Sequence, residues 1–194
     1  PKFKKLNCDV FGISKDDLKS HHRFKKKYKV KFDLLSDVEL KILKKYNEGI
    51  ICMSACLKGS LPEALLYSGY ERGKAVAEEY SSIFPGRYYI ELQNHGIPEE
   101  IQNIQLASKL AKDMGLPIVA TNDVLFLEKS DFDSHEVRVC INKKVKLEDR
   151  QNQINFNENQ YFKSEIELKE LFKDIPDAID NIYEIVKRCN FHID

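Results

Sequence analysis

The chain has 194 residues, of which 42% are hydrophobic, enough for one packed domain or for a domain with an appended arm. Its five cysteines are odd in number and contain no CxxC pair, which argues against a secreted disulfide framework and favours a reducing cytoplasm. No apolar run approaches the roughly 18 residues that span a bilayer, so the sequence gives no support for a membrane role.

The formal net charge of +0 hides an asymmetry between the amino-terminal segment and the rest. Residues 1–31 hold eleven Lys or Arg, from Lys2 to Lys31, and three Asp, a charge of +8 that the remainder offsets. Such a basic arm could contact nucleic acid or an acidic partner. It could equally be a solvated, lysine-rich lead-in that has no target.

The first predicted elements after this arm are a helix and a short strand. Apolar residues at helical spacing predict a helix over 37–46, capped by Ser36 and ended by residues 47–49. Residues 50–53 read as a buried strand that runs into the small residues 54–56. Small residues at this point would let the end of the strand open onto a pocket.

Helices and strands then alternate with short connections. Helices are predicted over 62–66, with Ser60 as the cap, and over 70–84 and 98–114. Strands are predicted over 87–92 and 118–120. This alternation indicates parallel strands with crossover helices. Beyond it, a helix is expected over 130–141 and two more over 164–172 and 176–189, while the polar segment 143–159 contains little that could pack.

Three polar residues follow predicted strands, where α/β barrels place functional side chains. They are Cys56, His95 and Asp123. A thiolate, an imidazole and a carboxylate are all accepted by Zn²⁺, so the three form a candidate divalent-cation set.

Each of these residues also has a structural interpretation. Cys56 could be a small buried residue, His95 could hydrogen-bond its own loop, and Asp123 could cap a turn or the following helix. His135 is expected to be a packing or capping residue within a helix. The adjacent His21 and His22 point in different directions on any regular element, so they are not a ligand pair.

Several segments together resemble a known family. The segments are 92–99 (LQNHGIPE), 115–124 (GLPIVATNDV), 130–136 (SDFDSHE), 171–181 (LFKDIPDAIDN) and 185–190 (IVKRCN). In their order and spacing they are similar to the PHP (polymerase and histidinol phosphatase) domain of the bacterial replicative DNA polymerase III alpha subunit, over roughly residues 33–194.

The resemblance implies an α/β fold, the distorted PHP-type (βα)7 barrel, of which this chain would be the later half with a C-terminal helical connection. It divides the chain into a basic segment of unclear origin at 1–31, a barrel portion at 32–162 and a helical linker toward the polymerase domains at 163–194. Half a barrel is expected to leave strand edges exposed.

The resemblance also bears on the site. In metal-binding members the fourth motif is similar to Asn-Asp-Val-His-Tyr, whereas residues 122–126 place Leu125 where the histidine would stand. Asp123 matches a ligand position, Cys56 matches a cysteine near the site in some members, and His95 matches a residue whose role stays open. The early His-x-His and Asp-His motifs have no counterpart here, so the resemblance implies a degenerate metal site.

The function implied is that of a polymerase segment that serves as a scaffold and as a docking surface for the proofreading exonuclease and other replicase subunits. DNA would be reached through the parent polymerase, a nucleotidyltransferase with Mg²⁺, and the segment itself would need no cofactor. The alternative is a metal-dependent phosphoesterase or 3′–5′ exonuclease using Zn²⁺ or another divalent cation. A free-standing phosphatase is disfavoured because the helices around residues 174–176 resemble the polymerase linker.

Overall fold

The computed structural model describes residues 11–14, 17–152 and 156–190. The chain divides into two compact units, Pro1–Ile50 and Ile51–Asp194. Lys2 and Cys8, which entered the charge and cysteine arguments, lie outside the described residues.

The first unit contains two parallel strands and a helix between them. Strand β1 is Phe11–Ser14, helix α1 is Leu18–Tyr28, and strand β2 is Asp33–Ser36, paired in parallel with β1. Asp17 begins α1 because its carboxylate accepts a hydrogen bond from the Ser20 N–H at 2.7 Å. The basic segment, for which no element was predicted, therefore contains a strand and a helix.

The predicted helix over 37–46 is shorter than expected. Helix α2 is Lys41–Lys45, and the residue before it, Leu40, has a left-handed backbone. Ser36 ends β2, so the predicted cap is wrong; the Asp37 carboxylate instead accepts hydrogen bonds from the N–H groups of Ile42 and Leu43. The acid thus supplies the partners that exposed helix N–H groups require.

The second unit contains a three-stranded parallel sheet. Its strands are β3 (Cys52–Met53), β4 (Tyr88–Leu92) and β5 (Ile118–Ala120), in the spatial order β3-β4-β5. Helices α3 (Ser60–Tyr67) and α4 (Tyr70–Ile83) connect β3 to β4, and α5 (Pro98–Met114) connects β4 to β5. The predicted parallel strands with crossover helices are confirmed here. Closure into a (βα)7 barrel stays a prediction.

The carboxyl-terminal part of this unit is helical. Helix α6 is Phe132–Lys143, α7 is Glu165–Leu171 and α8 is Pro176–Arg188; short 3-10 helices occur at Lys129–Asp131 and Leu147–Asn152. Helix α8 packs on β5, where the Asn181 side-chain amide donates to the Ile118 carbonyl at 2.7 Å. On one side of β5, the Pro117 carbonyl accepts a hydrogen bond from β4 and the Thr121 N–H donates one to β4. Because backbone groups alternate along a strand, the Ile118 carbonyl points to the opposite side of β5. Asn181 therefore covers that edge of the strand.

The hydrophobic core lies in the second unit, between β4 and its helices. Ile90 and Leu92 of β4 and Leu110 of α5 are fully buried. Each such side chain contributes roughly 1.5–3 kcal/mol to stability relative to full exposure.

The cysteines Cys52, Cys56, Cys140 and Cys189 are free thiols. No helix of the described part of the chain is long and apolar enough to cross a membrane.

Candidate site at the strand ends

The three candidate residues follow three consecutive strands of the sheet. Cys56 comes after β3, His95 after β4 and Asp123 after β5. Cys56 and Asp123 do not lie on neighbouring strand ends, because β4 lies between β3 and β5. The central position belongs to His95.

His95 is held by a carboxylate from the next helix. Only 3% of its surface is exposed, and its Nδ1 lies 2.8 Å from Glu100 Oε1. The backbone N–H of His95 donates to Glu100 Oε2 at 2.6 Å. Burial alone would raise the pKa of Glu100, but the hydrogen bonds from the His95 ring and backbone outweigh it, so this pKa lies below its ordinary value.

The other ring nitrogen of His95 faces an amide oxygen. Nε2 lies 3.3 Å from Asn122 Oδ1, at the end of β5. The orientation of the Asn122 amide is set by its Nδ2, which donates to the Tyr161 carbonyl at 2.8 Å. Both nitrogens of the His95 ring therefore face oxygen atoms of the protein.

A downstream segment that contains Asn157 and Asn159 packs against the His95 loop. The side-chain amides of Asn157 and Asn159 both donate to the His95 carbonyl, at 3.1 and 3.0 Å. These asparagines lie in the segment 143–159, which was expected to contain little that packs. They were not among the residues predicted for the site, and their Asn-x-Asn spacing is the only local pattern that distinguishes them.

A buried lysine completes this network. Lys163 is 8% exposed, and its ammonium donates to Asn122 Oδ1 at 3.3 Å and to the Asn159 carbonyl. Burial lowers the pKa of Lys163, with nearby carboxylates opposing this effect. Lys163 was not among the residues predicted for the site, because nothing in its local sequence distinguishes it from exposed lysines.

Asp123 and Leu125 contact the same downstream segment. The exposed Asp123 carboxylate accepts from the Gln160 side-chain amide at 3.0 Å, and the Leu125 N–H donates to the Gln160 carbonyl at 2.8 Å. Leu125 lies at a cavity of about 410 Å³, here called the Leu125 cavity. Its described lining, which includes neither Cys56 nor Asp123, consists of residues 125–127, Asp131, Ser134, His135 and Arg138.

Cys56 lies in the turn that leaves β3. It is half-buried, and its carbonyl accepts from the Gly59 N–H at 2.6 Å. Ala55 before it has a left-handed φ of 64°. Buried Ser54 connects this turn to β4, because its hydroxyl oxygen accepts from the Glu91 N–H at 2.8 Å.

The arrangement does not fit a closed metal site. Within the described ranges, no group of three or more His, Cys, Asp or Glu side chains is placed to hold a metal ion. The His95 nitrogens are directed at Glu100 and Asn122. A closed zinc site needs four ligands with lone pairs directed at the ion, and the described residues around His95 do not supply them.

The sequence is similar to proteins of known identity. Residues 13–95 match the family model for the PHP domain, and the match begins within the basic amino-terminal segment. A "DNA polymerase III subunit alpha" from Pseudomonas fluorescens is 42% identical over 147 residues, which are 76% of this chain and 12% of that protein.

The same protein from two further bacteria is similarly related. That of Escherichia coli strain K12 is 43% identical over 144 residues (74% of this chain, 12% of the relative), and that of Vibrio cholerae is 38% identical over 148 residues (76% and 13%). The chain thus spans about an eighth of the length of these relatives. It carries a PHP domain match at residues 13–95 and is homologous to the DNA polymerase III alpha subunit over about three quarters of its length.

Proposed function

We propose that this chain is the PHP segment of a replicative DNA polymerase and serves as a scaffold with a degenerate metal site. In this proposal its surface docks the proofreading exonuclease and other replicase subunits, and DNA is bound by the parent polymerase. The (βα)7 barrel, the division at residues 31 and 162, and a cytoplasmic location belong to the same proposal. The homology to DNA polymerase III alpha subunits supports it.

The observation that carries the scaffold proposal is the state of His95. Its ring nitrogens face Glu100 and Asn122, and its carbonyl accepts from Asn157 and Asn159. A residue with all these contacts connects β4, the end of β5 and the downstream segment. Such contacts favour a fixed frame over a side chain that is free to bind a cation or activate water.

Leu125 supports the same conclusion on chemical grounds. Its side chain offers no lone pair. It lies two residues after Asp123, which is the one exposed carboxylate among the three candidate residues. A cation bound near Asp123 would therefore lack the imidazole that the metal-binding motif supplies.

The second candidate function is a metal-dependent phosphoesterase or 3′–5′ exonuclease. One observation favours it: the Asp123 carboxylate is exposed at the end of β5 and accepts only one hydrogen bond, from Gln160, among the described residues. Ligands from elsewhere in a longer protein would then have to complete the cation site.

Metal content and DNA hydrolysis separate the two functions. Purified chain loaded with Zn²⁺ or Mn²⁺ and desalted should hold no stoichiometric metal by mass spectrometry and should leave a 3′-labelled primer intact. Surface plasmon resonance should detect binding to the cognate proofreading exonuclease. Hydrolysis that Asp123→Ala abolishes and Asp133→Asn leaves intact would establish the phosphoesterase instead, and absent exonuclease binding would contradict the docking role.

A further inference from the structure

The Leu125 cavity contains an arginine whose position is set by a histidine. Arg138 Nη2 donates to His135 Nδ1 at 2.8 Å, one turn earlier on α6. An imidazole nitrogen that accepts a hydrogen bond carries no proton. Burial and the nearby guanidinium lower the pKa of His135, which keeps the ring in this accepting form at neutral pH.

Aromatic rings fix the histidine in turn. The His135 ring lies 5.4 Å from the Phe126 ring and 4.8 Å from the Phe156 ring, centroid to centroid. This confirms that His135 is a packing residue. Because the imidazole cannot turn freely, it directs the exposed Arg138 guanidinium to one place at the cavity wall.

The positive charge of Arg138 has no carboxylate partner in the part of the chain that the structure describes. The acid that lines the same cavity, Asp131, has Oδ2 engaged with the Glu128 N–H at 3.0 Å. Ser134 lies in the first turn of the twelve-residue helix α6, where backbone N–H groups and the helix dipole favour an anion. The cavity of about 410 Å³ is therefore lined by a cation, the Arg138 guanidinium, and by a hydroxyl, that of Ser134.

We propose that the Leu125 cavity binds a phosphate group through the Arg138 guanidinium and the Ser134 hydroxyl, with His135 as the residue that positions Arg138. Phosphate fits this set because the planar guanidinium presents paired N–H donors to phosphate oxygens. The site is distinct from the strand-end network around His95. The inference does not rest on the proposed function, since a scaffold and a phosphoesterase could both hold such a group.

The test is a titration of the full chain with inorganic phosphate, followed by calorimetry or by amide shifts in NMR. We expect saturable binding that Arg138→Ala weakens at least about tenfold, which is the loss of one charge-assisted contact. Arg72→Ala, on the exposed face of α4, is the matched control and should bind as the parent does. No saturable binding, or equal affinity of Arg138→Ala, would overturn the proposal.

A second variant tests the role of the histidine. His135→Phe keeps an aromatic ring among Phe126 and Phe156 but removes the acceptor for Arg138. It should fold as the parent does by circular dichroism and should bind phosphate more weakly, whereas unchanged affinity would refute the positioning role. Thymidine 5′-monophosphate and a thymidine dinucleotide then distinguish a monoester from a diester, and binding of either that survives Arg138→Ala would contradict the site.

Discussion

Glu100 keeps its charge at a place where a lone carboxylate would be unstable. Only 5% of the residue is exposed, and burial without partners would favour the neutral acid. Two hydrogen bonds from His95, at 2.6 and 2.8 Å, reverse that preference. Hydrogen bonds to a charged group each contribute roughly 1.5–3 kcal/mol, so this pair stabilises the loop after β4.

Replacing this carboxylate by an amide should destabilise the protein. In Glu100→Gln one of the two His95 donors would meet an NH₂ group, so we expect the free energy of unfolding at pH 7 to fall by about 2 kcal/mol. Urea titration measures this change. Glu99→Gln, the exposed neighbour on the same helix, is the control and should stay within about 0.5 kcal/mol of the parent.

The same pair predicts a pH dependence with a definite sign. The pKa of Glu100 is lower in the folded state than its ordinary value of 4.5. The charged carboxylate therefore contributes its full share to the free energy of unfolding above pH 4.5. This contribution is lost as the pH falls through the folded-state pKa. The stability difference between parent and Glu100→Gln should therefore narrow below about pH 4.5. If the stability difference between the parent and Glu100→Gln stayed constant at acidic pH, the charged Glu100–His95 pair would be contradicted.

The sequence predicted that His95 and Asp123 follow strands, but it did not predict which residues contact them. His95 and Asp123 were predicted at strand ends because the strands before them have clear apolar patterns and short connections. The amides on the His95 carbonyl come from Asn157 and Asn159, 62 and 64 residues away. Contacts over such separations leave no local periodicity, and so nothing in the pattern could reveal them.

At the scale of elements, strong local signals were read correctly and weak ones were not. Helix α5 was predicted over 98–114 and is Pro98–Met114, because Pro98 suits a first turn and Gly115, with φ of 65°, suits a helix end. The predicted helix over 37–46 fails at its start, since Asp37 binds N–H groups five and six residues on and β2 occupies residues before it. Long-range strand pairing decided that boundary.

Packing of α4 on α3 can be tested at Gly73. A Cβ at this position would lie 2.7 Å from Cγ of the buried Leu65, closer than real contacts allow. Helix propensity would favour alanine by about 1 kcal/mol, but forced overpacking costs roughly 1–3 kcal/mol. We expect Gly73→Ala to lower the free energy of unfolding by about 1 kcal/mol in urea.

The exposed Ala75 supplies the matched control on the same helix. Ala75→Gly changes helix propensity without changing buried packing, and it should cost about 1 kcal/mol. If Gly73→Ala proved more stable than the parent while Ala75→Gly behaved as expected, close α3–α4 packing at Gly73 would be refuted.

For the whole molecule, the two units carry different shares of the core. Every buried hydrophobic side chain of the described residues lies between Leu61 and Ile179, in the second unit. We expect a fragment that begins at Ile51 to fold alone, with cooperative thermal unfolding and a midpoint within about 4 °C of the full chain. Circular dichroism checks this, and a fragment without a cooperative transition would contradict it.

The charge pattern and the compact units describe different properties of the amino-terminal part of the chain. The lysine-rich segment ends at residue 31. The compact units divide at Ile50, because β2 at Asp33–Ser36 pairs with β1 at Phe11–Ser14. Charge density reports on solvent-facing side chains, whereas strand pairing is made by the backbone, so the first could not reveal the second.

The contact between Asn181 and the Ile118 carbonyl has a consequence for synthesis of the protein. The two residues are 63 positions apart, so β5 leaves the ribosome before the residue that covers its outer edge has been made. At about 5–20 residues per second this interval lasts roughly 3–13 s. During that time the nascent chain has an unprotected strand edge, which makes β5 a natural contact for a chaperone.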